Sequence, residues 1–349
     1  MSAVLHVMLG EGGVGKTTLA AGYALALANA GRRVALLSID PARRLQDALG
    51  LALDECPVRV LAVPPPGELH AALLLPEQIL RRWATEGIAD PVERARLLDN
   101  RLFRVLADRL ATTADVIAAV RMVEWIEQDL TLTDFVVDTA PGRNGIEFLR
   151  RPRALAALLQ GRLLHWLLRL GGRSPAGSGA SHGPAARVLR GLASIAGFEL
   201  LLELGQLVSA MEMPSRLVFE RLERVLVWLH QPSTEILLVA AVREDATAGV
   251  RMLREALAEA DLAPAAVVIN RTLPSGVDEE IAGIADAAWP PDMRDCARYT
   301  CAYARIQARV ERGVSTLAPH VIRVAASPEL DGSRKLERLA ELGRAIRLP

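Results

Sequence analysis

Gly10-Glu11-Gly12-Gly13-Val14-Gly15-Lys16-Thr17-Thr18 restricts what this chain can fold into more than any other stretch of it. The apolar run Val4 to Leu9 before it reads as a buried strand. The alanine-rich run from Lys16 to Ala30 after it, closed by Gly31, reads as a helix. A glycine loop between strand and helix lets successive backbone N–H groups close around a phosphate at the helix N-terminus. The stretch fits G-x-x-x-x-G-K-[ST], which makes Gly12, Gly13, Val14, Gly15, Lys16, Thr17 and Thr18 the expected cofactor-binding positions. Lys16 is expected to reach the β- and γ-phosphates of a nucleoside triphosphate, and the Thr17 hydroxyl to bind magnesium.

The same residues also satisfy G-x-G-x-x-G through Gly10, Gly12 and Gly15, with Asp40 ending the second strand where a dinucleotide fold holds its ribose. Lys16-Thr17 decides between the two. A dinucleotide turn has no triphosphate or magnesium to demand a buried ammonium and a hydroxyl side by side. The basic composition points the same way, since of 41 basic residues only Lys16 and Lys335 are lysines. One of those two stands inside the loop, where a planar guanidinium could not replace a compact ammonium without changing the geometry.

A chain of 349 residues makes one large domain or two ordinary ones. Zero net charge and 23% charged residues, with the signs interleaved, argue against a nucleic-acid or polyanion binder. The longest apolar runs, such as Ile236 to Val242, fall far short of a membrane span, and Met1 leads almost directly into the first strand without a signal peptide. The expected location is cytoplasmic, with Cys56, Cys296 and Cys301 reduced. Four residues separate Cys296 from Cys301, so a metal there would need two further ligands from elsewhere.

Further strands are expected at Arg33 to Ile39, Val58 to Val63, Asp134 to Asp138, Glu235 to Val242, Ala265 to Asn270 and Val321 to Ala325. Helices are expected up to Leu49-Gly50, around Ala246 to Ala260 and from Ser333 to Arg347. Strands alternating with helices imply an α/β fold with a doubly wound, mostly parallel sheet, the architecture of a P-loop NTPase. Two helical blocks, 68–131 and 145–231, read as one helical subdomain inserted between core strands of this single 1–349 domain. The glycine- and serine-rich stretch 171–184 reads as a flexible loop.

Asp40 and Asp138 each end a strand beside the glycine loop, where open α/β sheets bind ligands. Each could instead cap the helix that follows. Functionally, Asp138 suits a group that holds magnesium through water, and either carboxylate could orient an attacking water. Asn270 also ends a strand; its amide could read an adenine edge or simply form a turn. No two of the six histidines stand four apart, and none is assigned to catalysis.

With these motifs placed, the chain resembles the bacterial ArsA-type ATPases, kin of the arsenite-efflux ATPase and of the factor that delivers tail-anchored membrane proteins. The carriers are Gly12 to Thr18, Ile39 to Leu45 with Asp47-Ala-Leu-Gly50, Gly67 to His70, Val137 to Pro141 with Arg143-Asn144, and Ile269-Asn-Arg271. The resemblance implies that Asp40 activates the attacking water, that Asp138 is the second magnesium group and that Asn270 contacts adenine. It also implies that ATP closes a dimer while a helical subdomain binds or releases a client.

Three departures stand out. Glu11 replaces the family's lysine that reaches across the dimer to the partner's phosphates, which makes Glu11 a dimer-interface candidate. It predicts a heterodimer with a lysine-bearing subunit, or weak turnover alone. The family's two-residue cysteine pair is missing, which argues against a zinc-bridged homodimer, and no cysteine lies between Cys56 and Cys296, which argues against metalloid binding.

The leading expectation is a magnesium-ATP hydrolase whose cycle controls a partner subunit and a hydrophobic client. A non-catalytic nucleotide sensor is the second. The third is a partitioning-type ATPase that docks on a membrane or DNA through its closing helix, where Leu336, Leu339, Leu342 and Ile346 share a face; a terminal helix packed on the sheet is the preferred reading of that face.

Overall fold

The structure, a computed structural model, describes residues 3–40, 44–86, 88–101, 114–142, 145–150, 212–274, 277, 290–327 and 334–346. Pro41 to Arg43, Arg143-Asn144 and the 171–184 stretch lie outside them. The chain divides into two units: Met1–Leu74, Trp125–Arg150 and Trp228–Pro349 make one, and Leu75–Glu124 with Arg151–Val227 make the other.

The first unit is built on one eight-stranded sheet in the order β3-β4-β2-β5-β1-β6-β7-β8. Its strands are β1 (Val4–Gly10), β2 (Arg33–Ser38), β3 (Val58–Arg59), β4 (Glu68–Leu73), β5 (Asp134–Asp138), β6 (Glu235–Ala241), β7 (Ala266–Thr272) and β8 (His320–Ala325). Every pairing is parallel except β3 with β4. The central strands are buried along nearly their whole length, as expected when helices cover both faces of a parallel sheet. The sheet is therefore the expected doubly wound α/β type.

Helices α1 (Lys16–Asn29), α2 (Arg44–Leu49), α7 (Ala246–Ala258), α8 (Pro291–Val314) and α9 (Lys335–Arg344) belong to this unit. Helix α1 ends where Gly31 takes φ 88° and donates its N–H to Ala28 O at 2.9 Å, a left-handed stop that glycine adopts without strain. α1 and α9 cross closely enough that a Cβ on Gly343 would overlap the carbonyl of Gly22. Leu339, Ala340 and Ile346 of this segment are buried in the same core as Leu19, Leu36 and Val136. The apolar face of the closing helix is thus used inside the protein, as the packed reading of that helix expects and the membrane-docking one does not.

Two sequence expectations need correction. The third strand stops at Arg59 instead of Val63: the Val60 N–H still donates to Leu69 O at 2.8 Å in the same register, and the chain then turns at Leu61-Ala62. That turn lets Glu68–Leu73 enter the sheet as β4 beside β2, where the sequence reading began a helical block at 68. Six residues, with half-buried Glu68 and His70 before three buried apolar ones, are too short a run for periodicity to separate strand from helix. The second correction is α8, a helix of 24 residues that was not anticipated. It is amphipathic, but only Ala297, Val310 and Val314 along it are buried and most of its other positions are polar or charged.

Within the second unit lie α3 (Pro76–Thr85), α4 (Pro91–Asp99), most of α5 (Ala114–Gln128) and most of α6 (Glu212–Leu229). Proline opens α3 and α4, and the Asp90 carboxylate accepts the Val92 N–H at 2.9 Å to cap the latter. Glu124, almost fully buried on α5, accepts two hydrogen bonds from Arg82, at 2.5 and 2.9 Å, and one from Arg121 at 3.1 Å. Arg221 of α6 stands 3.7 Å from it and pairs through both terminal nitrogens with Glu86. Among the described residues no helix is long and apolar enough to cross a membrane.

Candidate functional site

The register of three strands assembles the site. Asp138 of β5 is level with Met8 of β1 and with Ser38 of β2, so the chain beyond each of these ends emerges on one edge of the sheet. Beyond Met8 comes the glycine loop, and beyond Ser38 comes Asp40. Gly10 pairs with Val239 of β6 so closely that a Cβ would overlap the Val239 carbonyl oxygen. The loop after β5 is tied in as well: the Gly142 N–H donates to Gly10 O at 2.9 Å, and Thr139 Oγ1 donates to Met8 O at 2.6 Å.

Gly15 takes φ 90°, and a Cβ there would overlap the Asn270 side chain. Glycine is required on both counts. Asn270 in turn donates from Nδ2 to Val14 O at 2.8 Å, so its buried amide props the loop in place. Its Oδ1 accepts the N–H of Arg271 at 2.9 Å. The amide therefore has a structural task in the loop besides any task toward a nucleotide.

Lys16 is buried and donates from Nζ to the carbonyls of Gly10 and Glu11, both at 3.0 Å. Burial pushes its ammonium below the ordinary lysine range, while the charges of Asp138 and Asp40 pull it back up. Thr17 is buried beside it. Asp138 is fully buried, and burial lifts its carboxyl to about 6 against the hydrogen bonds from Ser38 and Thr17 and the charge of Lys16. Ser38 Oγ donates to Asp138 Oδ2 at 2.8 Å, whereas Oδ1 has no hydrogen-bond partner among the described residues. A buried carboxylate oxygen without a donor, next to a threonine hydroxyl, is a donor set that suits a hard cation such as magnesium.

Asp40 is nearly buried, with Arg44 Nη1 at 3.4 Å from its Oδ2. These groups face a cavity of about 380 Å³ lined by Gly13, Lys16, Thr17, Asp40, Arg271 and Lys335, among others. Lys335 donates from Nζ to the carbonyl of Asp47. Gly12 and Thr18 complete the loop; a Cβ on Gly12 would approach nothing nearer than Pro141 at 3.9 Å.

Glu11 departs from the group. Its side chain lies against Gly249 of α7, near Arg243, in a crevice with room for only about 10 Å³. Arg243 is raised above its ordinary value by Asp245, which it pairs with at 2.6 Å, and to a lesser extent by the Glu11 charge.

Ser38, Arg44, Arg271, Lys335 and the glycine at 249 were given no role from sequence. Three carried a signal: Lys335 as one of two lysines in an arginine-rich chain, and Arg44 and Arg271 inside the stretches that carry the family resemblance. Cys296 and Cys301 both stand on α8, and among the described residues no group of three or more metal-ligating side chains forms.

Comparison with known proteins agrees with this geometry. A family model described as anion-transporting ATPase matches residues 4–173, just under half of the chain. An arsenical pump-driving ATPase of Acidiphilium multivorum is 28% identical over 294 residues, covering 82% of this chain and 42% of that protein. An ATPase ASNA1 homolog of Babesia bovis is 32% identical over 152 residues, 43% of this chain and 39% of that protein. The ATPase get3 of Aspergillus terreus is 30% identical over 180 residues, 48% of this chain and 51% of that protein. The chain thus spans about two fifths of the length of the first two relatives. With the glycine loop, Asp40 and Asp138 gathered at one sheet edge and the match running through all of them, residues 4–173 belong to the ArsA-type anion-transporting ATPase family.

Proposed function

We propose that this chain is a magnesium-dependent ATP hydrolase whose ATP-driven dimer closure controls binding of a partner subunit and of a hydrophobic client. The observation that carries the reading is Asp138, fully buried beside Lys16 and Thr17 with one carboxylate oxygen lacking a donor. A protein gives up solvation of a carboxylate at such a place when another ligand completes it.

Thr17 and Asp138 would hold magnesium, Asp138 through water. Bound there, the ion would neutralise charge on the β- and γ-phosphate oxygens. Lys16 would leave the carbonyls of Gly10 and Glu11 for the phosphates. The N–H groups of Gly12 to Thr18 would cradle the β-phosphate at the start of α1. Asp40 would orient the attacking water and accept its proton, with Arg44 Nη1 beside it at 3.4 Å. Asn270 would fix the loop and contact adenine.

Glu11 supports a narrower statement about assembly. Its carboxylate is engaged at the first turns of α7, so two copies could face each other without aiming carboxylates at triphosphates. A charge supplied across the interface would still be missing, and such a charge is worth on the order of a thousandfold in phosphoryl transfer. Weak turnover alone, or a heterodimer with a lysine-bearing subunit in which this chain acts as the nucleotide sensor, follows from that.

Steady-state ATP hydrolysis by the purified chain with magnesium, across a wide range of protein concentration, tests the reading. Turnover per chain that rises and saturates would mean a working homodimer and would exclude the obligate heterodimer. Background turnover with ATP still bound would favour the sensor. A chain that binds no ATP would end both.

A further inference from the structure

Asn270 and Arg271 leave β7 together, and the second of them does so at a cost. Arg271 has φ 59°, in the left-handed region that arginine adopts only when its surroundings impose it. Three hydrogen bonds impose it. The Arg271 N–H donates to Asn270 Oδ1 at 2.9 Å, and Tyr303 Oη donates to the Arg271 carbonyl at 2.6 Å. Two residues further on, the Leu273 N–H donates to Gln307 Oε1 at 2.8 Å. Tyr303 and Gln307 both stand on α8, so this helix grips the turn after β7.

If the turn served only to aim the Asn270 amide at Val14, glycine would do so without strain. Arginine stands there instead, its residue exposed and lining the same cavity as Lys16 and Thr17. The strand order says which part of a nucleotide it would meet. Asp138 on β5 and Asp40 beyond β2 lie on one side of β1, and β7 lies on the other side, beyond β6. The terminal phosphate and its metal belong with the two aspartates, so a nucleotide held by the loop turns its base end toward β7.

We propose that Arg271 is a nucleotide-contacting residue that stacks its guanidinium on the base, and that Tyr303 is a positioning residue that holds Arg271 in the left-handed conformation for that contact. This rests on the ATP-binding reading above. A planar, weakly hydrated guanidinium suits an aromatic face, where an ammonium does not.

The test is calorimetric binding of magnesium-ATP and of magnesium tripolyphosphate to the full chain and to Arg271→Gly and Tyr303→Phe, with melting of each protein in the absence of ligand. Arg271→Gly is expected to weaken ATP binding by about three- to thirtyfold. It should leave tripolyphosphate binding unchanged, and its melting temperature should hold or rise by about 1–2 °C as the backbone strain is relieved. Tyr303→Phe should lose a smaller part of the ATP affinity and none of the tripolyphosphate affinity.

ATP affinity that survives Arg271→Gly overturns the proposal. An equal loss for tripolyphosphate overturns the base contact and makes Arg271 a phosphate ligand. Should the glycine variant fail to fold, Arg271→Asn, which also tolerates the left-handed region, carries the same comparison. A parent chain that binds neither ligand sinks the ATPase reading, and this inference with it.

Discussion

A Cβ built on Gly249 would stand 2.6 Å from Oε1 of Glu11 and 2.8 Å from its carboxyl carbon, so the Glu11 side chain fills the place that any other residue at 249 would claim. The carboxylate thereby sits at the N-terminal end of α7, where a negative charge is favourable. Glu11→Lys is expected to cost about 0.3–1 kcal/mol of stability in urea. It should also raise ATP turnover per chain at high protein concentration. An unchanged turnover at every concentration would mean that the missing trans charge is not what limits this chain.

Asp138→Asn should separate stability from activity. The amide can still accept from Ser38 but offers no charge to magnesium, so hydrolysis should fall on the order of a hundredfold or more. The nucleotide-free protein should gain up to about 3 kcal/mol at pH 8, because a carboxylate lifted from 3.8 to about 6 by burial no longer has to ionise. Urea denaturation and ATPase assays on one preparation would check both.

At the opposite ends of the same strands, His6 has a carboxylate at each ring nitrogen: Asp134 Oδ1 at 2.9 Å from Nε2, and Glu235 Oε2 at 2.7 Å from Nδ1. Tyr23 of α1 packs edge-on against the ring, and Arg32 and Thr133 hold the other oxygen of Asp134. Burial by itself would lower the pKa of His6, but the two acids outweigh it and raise it. Folding therefore takes up a proton. The stabilisation is full below the unfolded value of about 6.5 and is lost as pH rises through the higher folded one. Melting temperature measured from pH 6 to 9 should fall more steeply for the parent than for His6→Gln. Parallel curves would contradict the charged imidazole.

The crossing of α1 and α9 leaves no room for a side chain, since a Cβ on Gly343 would overlap the Gly22 carbonyl. Gly343→Ala should destabilise by about 1–3 kcal/mol. Because α9 carries Lys335 and Leu339 to the wall of the cavity, ATP affinity should drop with it. Calorimetry on the folded variant would show a loss of affinity; an unchanged affinity would mean that α9 serves the core alone.

In the helical unit, Glu124 is almost fully buried and faces the buried Arg121, the mostly buried Arg221 and the part-exposed Arg82. Glu124→Gln should cost about 1–3 kcal/mol, because Arg82 and Arg121 lose a charged hydrogen-bond acceptor while Arg221 keeps Glu86. Its carboxyl is held below the ordinary range, chiefly by Arg82 against the cost of burial. Unfolding should therefore be promoted as pH falls below the usual glutamate value, and less so in the variant.

The glycine loop, the strands that carry Asp40 and Asp138, and the alternation that makes a parallel sheet were all legible because each is written in adjacent residues. Glycine, lysine and threonine at fixed offsets describe a local backbone trap for phosphate, and an apolar run ending in aspartate describes a buried strand with a polar tip. Helix α8 and strand β4 were not legible. The first is amphipathic but mostly polar and buries few residues, and the second is a run of only six residues, too short for its partial alternation to settle strand against helix.

What only the tertiary structure decided lies at longer range. No periodicity could tell that Asn270 props Val14 across the loop, that Tyr303 grips Arg271 from another helix, or that Glu11 turns onto a glycine some two hundred residues away. These contacts depend on how the sheet orders its strands and on where a missing side chain leaves space. Local sequence determined the phosphate-binding chemistry, because that chemistry is a property of one loop and the strand ends beside it. The strand order and the close approaches determined what surrounds that loop, because a contact between distant segments has no signature in either segment alone.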